Sequence, residues 1–346
     1  MRLPSIPNFD QAAAQKAAHR QDHLTKPQGS LGRLESLSVQ LAGMTGRERP
    51  RFARKVVIVM AADHGVALEG VSAYPVEVTA QMVENIARNG AAVSVLARQN
   101  QARVVVVDIG VAKDVSSLAG VLHRKVAAGS ANMLKGPALT HAQAEQAIMV
   151  GMQVLDEQAA RGLDLVALGE MGIGNTTPAS AITAVLTGLP VKEVTGRGTG
   201  LDDTGLQNKI QVIEAAIRLN QPDPSNALDV LAKVGGLDIA GLTGVIIASA
   251  ARRIPVVVDG FISGAAALLA AGLRPEVKPY LIASHLSVEA GHTAICKKLA
   301  LEPLLDLRMR LGEGSGAVLA FPIIEGAARI LDEMATFEEA GVSRND

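Results

Sequence analysis

Short runs of consecutive apolar residues recur along this chain, and they restrict its fold more than any other feature. They cover residues 56–60, 104–107, 163–168, 256–258 and 280–282. Longer segments rich in Ala, Leu, Gln and Glu, with the periodicity of helices, separate them. Strands that are apolar throughout, rather than at alternate positions, are typical of parallel sheets. The pattern predicts an α/β fold, with a mostly parallel sheet covered by helices on both faces.

The two ends of the chain differ from this pattern. Residues 10–20 and 34–41 have the spacing of amphipathic helices, and the stretch from Gly316 to about Glu339 also has a helical pattern. We expect these terminal helices to form a small bundle beside the sheet. The predicted division is a small helical domain of residues 1–50 with 316–346, and an α/β domain of residues 51–315 that carries the active site.

Composition narrows the classes of partner and compartment. The 346 residues carry a formal net charge of -1, so no charge excess indicates nucleic acid or a membrane surface. The apolar runs are shorter than the roughly 20 residues that a membrane helix needs, and residues 1–5 contain no apolar signal segment. The single cysteine, Cys296, excludes an internal disulfide and a multi-cysteine zinc site. We expect a soluble, cytoplasmic protein.

Acidic, histidine or serine side chains follow each predicted strand. The carboxyl ends of parallel strands meet at one edge of a sheet, where α/β proteins bind their ligands. Any one of these residues alone is explained as well by a turn or a helix cap. All five strand ends together indicate an active site. The residues are Asp63 with His64, Asp108, Glu170, Asp259, and Ser284 with His285.

The most informative segment is Gly-Glu-Met-Gly-Ile-Gly-Asn-Thr-Thr-Pro at 169–178. It links a predicted strand to a predicted helix at 179–186, whose first amides Asn175 or a following threonine is expected to cap. Glycines let the backbone approach a ligand, and amides at a helix N-terminus suit an anion such as phosphate. With Glu170 beside this cradle, the segment indicates chemistry on a phosphorylated small molecule.

Two further glycine-rich segments have alternative interpretations. Residues 195–203 lead into a helix that carries Lys209, which indicates a phosphate site or else a flexible surface turn with a solvated lysine. In residues 308–317, Glu313 lies between glycines just before an apolar helix. An exposed loop glutamate is the alternative there, but we favour a carboxylate placed against a ligand.

Several common motifs are incomplete. The chain has no P-loop, and neither glycine-rich segment completes G-x-G-x-x-G, which argues against a nicotinamide-dependent dehydrogenase. His19 and His23 are four residues apart, but Arg20 stands where a zinc-binding H-E-x-x-H motif requires Glu. Lone histidines such as His64 and His285 are more often structural than metal ligands. We therefore expect no metal and no cofactor.

Taken together, these segments resemble the nicotinate-nucleotide:dimethylbenzimidazole phosphoribosyltransferase family. The resemblance spans nearly the whole chain, and motifs of this length in this order are highly specific. The segments that carry it are residues 25–32, 62–66, 70–75, 78–82, 169–178, 196–203, 258–261, 284–285 and 311–316.

The resemblance implies transfer of 5-phosphoribose from nicotinate mononucleotide to 5,6-dimethylbenzimidazole. The products would be α-ribazole 5'-phosphate and nicotinate, used in assembling the lower nucleotide loop of cobalamin. It also implies a metal-independent homodimer, with a Rossmann-like large domain, a small helical domain, and a neighbouring subunit that helps to close each site.

By the same resemblance, Glu313 matches the family's catalytic glutamate. The donor's ribose–pyridinium bond is already activated, because the ring nitrogen loses its positive charge on leaving, so one carboxylate that takes the imidazole proton suffices. We assign Glu313 as the general base and give Glu170 a supporting catalytic role at the ribose or the acceptor. Whether Glu170 can replace Glu313 as the base is left open.

The remaining site residues fall into two groups. We expect one group to hold phosphate, with Asp259 at the ribose hydroxyls: Gly172, Gly174, Asn175, Gly200, Lys209, Asp259, Gly260 and Ser287. We expect the other group to line the acceptor pocket: Ser72, Tyr74, Gln81, Met82 and Leu311.

Alternatives to these assignments stay open. For Ser72, Tyr74, Gln81 and Met82, the alternative is a helix start and its buried face. For the function, the alternatives are the same transfer to a different lower-ligand base, or a non-catalytic protein that binds ribazole or nicotinate nucleotide. The presence of Glu313 in a glycine-rich loop argues against a mere binder.

Overall fold

The computed structural model describes residues 1–343, so the last three residues of the predicted C-terminal segment lie outside it. The strands are β1 (Lys55–Ala62), β2 (Ala102–Gly110), β3 (Val121–His123), β4 (Leu165–Met171), β5 (Val256–Val258) and β6 (Leu281–Ala283). The helices of the first half are α1 (Gln11–His23), α2 (Arg33–Thr45), α3 (Val78–Ala87), α4 (Ala92–Gln99) and α5 (His141–Ala160). Those of the second half are α6 (Thr176–Thr187), α7 (Val191–Val194), α8 (Asp203–Asn220), α9 (Ala227–Val234), α10 (Leu237–Ala251), α11 (Phe261–Leu273), α12 (Ala290–Leu299), α13 (Ser315–Glu333) and α14 (Phe337–Ala340).

The strands form one parallel sheet in the order β3-β2-β1-β4-β5-β6. This confirms the predicted α/β, Rossmann-like fold. The chain leaves β1 toward one edge of the sheet and returns at β4 to build the other half. In such sheets, ligands bind beyond the carboxyl ends of the strands at the point where the strand order reverses. That point lies between β1 and β4, where Met60 pairs with Glu170.

Each predicted apolar run forms a strand, because the interior of the sheet is covered on both faces. All eight residues of β1 and all three of β5 are buried. The strand β3 was missed by the sequence analysis, since it is short and partly exposed and ends in His123. Such an edge strand has no continuous apolar run to reveal it.

The C-terminal helical stretch contains a break. The predicted stretch from Gly316 to about Glu339 is helical except at a break, because α13 ends at Glu333 and α14 is a separate short helix. Between them, Thr336 pairs with Leu24 in an isolated β-bridge, and the Arg20 guanidinium donates to the Leu331 carbonyl at 2.7 Å. These contacts with the N-terminal segment replace the helical hydrogen bonds at the break.

The terminal helices α1, α2 and α13 pack against one another. Ala17, Ala42 and Leu331 form a small buried cluster between them, whereas Leu41 and Phe321 belong to the main core that contains the sheet. The division into a small helical domain and an α/β domain stays a prediction. Within residues 1–343, no helix combines the length and the apolar character needed to cross a membrane.

Candidate active site

Three acidic residues predicted from the sequence meet at the carboxyl edge of the sheet. Glu170 lies near the end of β4, Asp259 follows β5, and Glu313 precedes α13. Each is at most 7% exposed. The structure thus brings together side chains that are up to 143 positions apart.

Glu313 is held in a buried turn. Its φ is +63°, and it is 6% exposed, so the alternative of an exposed loop glutamate is wrong. Its Oε2 accepts a hydrogen bond from the Val93 amide, in the first turn of α4, at 3.3 Å. Burial raises the pKa of the Glu313 carboxyl, and this hydrogen bond opposes the effect. A raised pKa makes the carboxylate a stronger base.

The close approach of this turn to the sheet requires glycine on β4. A Cβ atom at Gly169 would lie 2.3 Å from the Glu313 carbonyl oxygen. Any larger residue would therefore displace the turn that carries Glu313. This explains why the Gly-Glu-Met-Gly-Ile-Gly motif begins with glycine inside a buried strand.

Glu170 is linked directly to Glu313. Its Oε1 accepts a hydrogen bond from the Glu313 amide at 3.3 Å, and its Oε2 accepts one from Asn175 Nδ2. Burial, followed by the negative charge of Asp238, raises the pKa of Glu170 to about 8. At neutral pH, Glu170 is therefore a carboxylic acid, in contrast to the base expected at Glu313.

Asn175 does not cap the helix that it precedes. Of the two predicted caps for α6, Asn175 or a following threonine, Asn175 is wrong, since it makes no side-chain hydrogen bond there. Its Nδ2 donates instead to Glu170 and, at 3.1 Å, to Asp238 Oδ2. Two buried carboxyl groups need hydrogen-bond donors. The Asn175 side chain therefore bonds to them and not to the amides at the start of α6.

Asp259 caps a helix to which it is not adjacent in sequence. Its Oδ1 accepts a hydrogen bond from the Ala317 amide at 2.8 Å, and its Oδ2 accepts one from Gly314 at 3.3 Å. These amides belong to the start of α13 and lower its pKa, but burial dominates and raises the pKa of Asp259 to about 7. The carboxyl group thus fastens the helix that follows Glu313, and its assignment to the ribose stays a prediction.

Lys209 is completely buried, so the alternative of a solvated lysine is wrong. Its Nζ donates to Thr176 Oγ1 at 2.7 Å and lies 3.4 Å from the Gly196 carbonyl oxygen. Burial lowers its pKa to about 8, opposed by the charge of Glu289. Lys209 therefore joins the two glycine-rich segments predicted to bind phosphate.

Gly260 and Ser287 lie close together at the ends of β5 and β6. A Cβ atom at Gly260 would lie 3.5 Å from the Ser287 Cβ. The Ser287 amide donates to His292 Nδ1 at 3.0 Å, and burial lowers the pKa of His292 to about 4, so the ring accepts as a neutral imidazole. The Ser287 segment is thus held in place from α12.

The predicted phosphate-binding glycines have different surroundings. A Cβ atom at Gly172 would lie 2.4 Å from the Ala62 carbonyl oxygen, and one at Gly174 would lie 3.0 Å from the Ala67 Cβ. These two glycines pack against the chain that leaves β1. No atom of the described residues approaches the corresponding position at Gly200 within 4 Å. Their phosphate contacts stay a prediction.

The predicted acceptor residues lie beside the 196–200 loop. The Ser72 hydroxyl lies 3.2 Å from Thr199 Oγ1, which accepts from the Ala73 amide at 3.0 Å. Met82 is half-buried, but Tyr74 and Leu311 are 55% and 57% exposed, and Gln81 is also exposed. Tyr74 and Gln81 are therefore not part of a buried helix face.

Three residues with contacts at this site were not predicted from the sequence, namely Asp238, Glu289 and Thr199. Asp238 follows a Gly-Gly pair at the start of α10, and Glu289 follows Ser287, whose strand end was recognised. The Oε1 atom of Glu289 accepts from the Gly198 amide at 3.1 Å. The glycine pair was the one local signal for Asp238, because its partners are remote in sequence.

Within residues 1–343, the structure contains no group of three or more His, Cys, Asp or Glu side chains arranged to hold a metal ion. His19 and His23 stack on α1 with ring centroids 4.3 Å apart. The strand-edge site instead combines a neutral carboxyl group, a second carboxyl group and a buried amine. This set suits proton transfer on an anionic ligand.

Comparison with known proteins gives consistent matches over the whole length. A family model described as phosphoribosyltransferase matches residues 6–342. A protein of Chloroflexus aurantiacus named nicotinate-nucleotide–dimethylbenzimidazole phosphoribosyltransferase is 61% identical over 99% of this chain and 97% of that protein. One of that name from Geobacter sulfurreducens is 53% identical, over 99% of this chain and 98% of that protein. A crystal structure of the enzyme so named from Thermus thermophilus has a TM-score of 0.93 and 45% identity, covering 97% of this chain and 100% of that one.

Proposed function

The chain belongs to the nicotinate-nucleotide–dimethylbenzimidazole phosphoribosyltransferase family, and from this premise we propose its reaction and site. The enzyme moves 5-phosphoribose from nicotinate mononucleotide to 5,6-dimethylbenzimidazole, giving α-ribazole 5'-phosphate and nicotinate. The product serves the lower-loop assembly of cobalamin. The site assignment rests on one observation. Glu313 and Glu170 contact each other at the edge of the sheet where the strand order reverses.

Glu313 is the general base of this reaction. One imidazole nitrogen of the acceptor attacks the anomeric carbon, and the bond from that carbon to the nicotinate nitrogen breaks. The bonding electrons return to the pyridine ring, which leaves uncharged at its nitrogen. The proton on the other imidazole nitrogen passes to the Glu313 carboxylate. Val93 is the one hydrogen-bond donor to that carboxylate within residues 1–343, which supports its availability to the acceptor.

The donor phosphate binds beside Lys209. Its Nζ provides a cation, and the loop at 196–200 provides backbone amides. The Ser287 hydroxyl beside Gly260 adds a polar side chain, since the Ser287 amide is already bonded to His292. Gly172, Gly174, Asn175 and Gly200 belong to the same proposed region, with Asp259 nearest to the ribose. Among residues 1–343, no carboxylate forms a salt bridge with Lys209, and a buried cation of this kind gains from a bound phosphate.

The acceptor pocket is completed by a second subunit. Tyr74 and Leu311, assigned with Ser72, Gln81 and Met82 to the acceptor, are more than half exposed in the single chain. An apolar ring bound there would stay partly in water unless another surface covered it. We expect light scattering to give a mass twice the 35.8 kDa of one chain. A monomer that turns over at full rate would contradict this part of the proposal.

The enzyme acts in the cytoplasm. Cys296 is buried and unpaired, and burial raises the pKa of its thiol to about 11. An inert single thiol agrees with a reducing compartment.

The decisive test is product formation from nicotinate mononucleotide and 5,6-dimethylbenzimidazole, comparing the wild type with Glu313→Ala. We expect wild-type turnover and a loss of about 10²–10⁴-fold in kcat for the variant, the usual contribution of a general base. Glu214→Gln, at an exposed position on α8, is the control and is expected to keep full activity.

The other outcomes are also informative. Wild-type turnover with an unimpaired Glu313→Ala variant would move the base role to another group or to water. A wild type that binds both compounds and forms no product would overturn the reaction for this acceptor. Release of nicotinate with other benzimidazoles or purines, but not with dimethylbenzimidazole, would identify a different lower-ligand base.

A further inference from the structure

Asp238 is a buried acid that the proposed reaction does not yet use. It lies in the first turn of α10, at the carboxyl edge of the sheet, and its exposure is 0%. A carboxylate in such a place is costly unless its oxygens find donors. The groups that donate hydrogen bonds to its oxygens therefore indicate its role.

The donors of Asp238 come from two directions. Its Oδ1 accepts from the Ile239 amide at 2.8 Å, and its Oδ2 accepts from Asn175 Nδ2 at 3.1 Å. His64 Nε2 lies 3.2 Å from Oδ1 on the far side. The backbone contact fixes the carboxylate to its own helix, so the second oxygen is a fixed acceptor for Asn175.

The amide of Asn175 is shared by two carboxyl groups. Its Nδ2 carries two hydrogens, and it donates to both Asp238 Oδ2 and Glu170 Oε2. Turning the amide over would place its oxygen against both acids. Asp238 therefore excludes that orientation and keeps the nitrogen on Glu170.

We propose that Asp238 is a positioning residue for the transfer reaction, which holds the Asn175 amide nitrogen on Glu170 and places a negative charge beside that carboxyl group. The inference rests on the proposed function, because it assigns Glu170 a role in that reaction. With a pKa raised to about 8, Glu170 can receive the imidazole proton only as it ionises near that pH.

The electrostatic surroundings of Glu170 support this assignment. The charged or titratable groups that face it are Asp238 from α10, Asp259 from the end of β5, Glu313 from the turn before α13, and His64 beyond Asp238 at the end of β1. Burial and the charges of Asp238 and Asp259 favour the neutral form, and the hydrogen bonds from Asn175 and Glu313 oppose it. Of these two acids, Asp238 has the larger electrostatic effect on Glu170.

A kinetic experiment separates the roles of the three acids. In Glu313→Gln, the primary base is absent, and we expect residual kcat to rise as Glu170 ionises near pH 8. Adding Glu170→Gln should remove this rise. Adding Asp238→Asn removes one negative charge and keeps an acceptor oxygen, so the rise should move to lower pH by about one unit. Asp229→Asn, at a largely buried acid on α9, is the matched control and should leave the rise in place.

A spectroscopic experiment needs no turnover. The infrared carbonyl band of protonated carboxyl groups should be present in the wild type at pH 7, and in Glu170→Gln it should lose the component that titrates near pH 8 and keep the one that Asp259 contributes near pH 7. In Asp238→Asn the Glu170 component should titrate at lower pH. An unchanged midpoint in Asp238→Asn, or no band in the wild type, would overturn the inference even if turnover is normal. Absent turnover in the wild type with the expected band would instead count against the proposed function.

Discussion

At the scale of single residues, the site depends on where backbone and carboxyl groups approach most closely. Glu313 has a left-handed backbone, and the glycines on either side, Gly312 and Gly314, also have positive φ. A Cβ atom at Gly312 would lie 2.2 Å from Glu170 Oε1. The turn is therefore shaped by contact with Glu170, as well as by its own backbone preferences.

We predict that Gly312→Ala lowers kcat/KM by about a hundredfold, because displacing a catalytic group by about 1 Å has an effect of this size. The matched control is Gly188→Ala, since the φ angles are +84° and +76° and no atom of the described part of the chain lies within 4 Å of the Cβ position at Gly188. Both variants carry the same backbone strain. Equal activity of the two, measured with folding checked by circular dichroism, would show that the contact with Glu170 is unimportant.

Residue types were predictable here, but residue partners were not. The acid in the Gly-Glu-Gly-Ser-Gly motif and the acid near the end of β4 are visible in the sequence as unusual neighbours of glycine. Asn175 at a helix start has the sequence of a cap, and its local preference is overridden by two buried acids. A local rule cannot include acceptors that arrive from other strands and helices.

At the scale of elements, α13 begins without a cap of its own. Its N-cap position is Gly314, and the hydrogen bonds to its first turn come from Asp259 at the end of β5. The helix start is therefore fixed to the sheet by a side chain 58 positions away from Ala317. Because Glu313 immediately precedes this start, the same contact positions the proposed base.

We predict that Asp259→Ala lowers the free energy of unfolding by about 1–2 kcal/mol, the usual effect of removing a helix cap. Asp259→Asn keeps one acceptor oxygen and should lose less. Urea denaturation followed by circular dichroism measures both. If Asp259→Ala were as stable as the wild type, the carboxyl group would have no capping role, and any loss of activity would point to the ribose instead.

Most of the helices and strands could be predicted from the sequence, with two exceptions. The strand β3 has no apolar run, because it lies at the edge of the sheet, and α13 ends at Glu333 although no Gly or Pro follows it at once. The bridge between Leu24 and Thr336 determines that end. Periodicity detects buried faces, and it does not detect a break that is stabilised by a distant segment.

At the scale of the whole molecule, buried acids make folding stability depend on pH. The pKa of Glu170 is about 8 in the folded protein, against an ordinary value of 4.5. The folded protein therefore keeps a proton that the unfolded chain releases. The resulting stabilisation is complete below about pH 4.5 and is lost as the pH rises to about 8. Asp259, with a pKa of about 7, acts in the same direction.

We predict that the free energy of unfolding of Glu170→Gln, minus that of the wild type, rises by at least about 1 kcal/mol when the pH is raised from 5 to 9. The reason is that the wild type must ionise a buried Glu170 over this range, whereas the glutamine cannot ionise. Urea denaturation at the two pH values measures the difference. The exposed Glu214→Gln serves as the control. A constant difference between Glu170→Gln and the wild type would mean that Glu170 ionises normally when buried.

The sequence by itself determined the fold class and the chemical types at the site. Uninterrupted apolar runs have one stable arrangement, in which helices cover both faces of a parallel sheet, and the acids and glycines after those runs must then gather at one edge. Long, ordered motifs also identified the family. Local pattern is sufficient for these conclusions, because burial and backbone freedom are local properties of residue type.

Only the tertiary structure decided which of these groups act on one another. The strand order places β4 beside β1 and β5, and this brings Glu170, Glu313, Asp238 and Asp259 into one buried cluster. Their protonation depends on burial and on charges that other helices and strands supply. The distances between these charges are set only when the elements pack together. The raised pKa of Glu170 is therefore a property of the folded molecule.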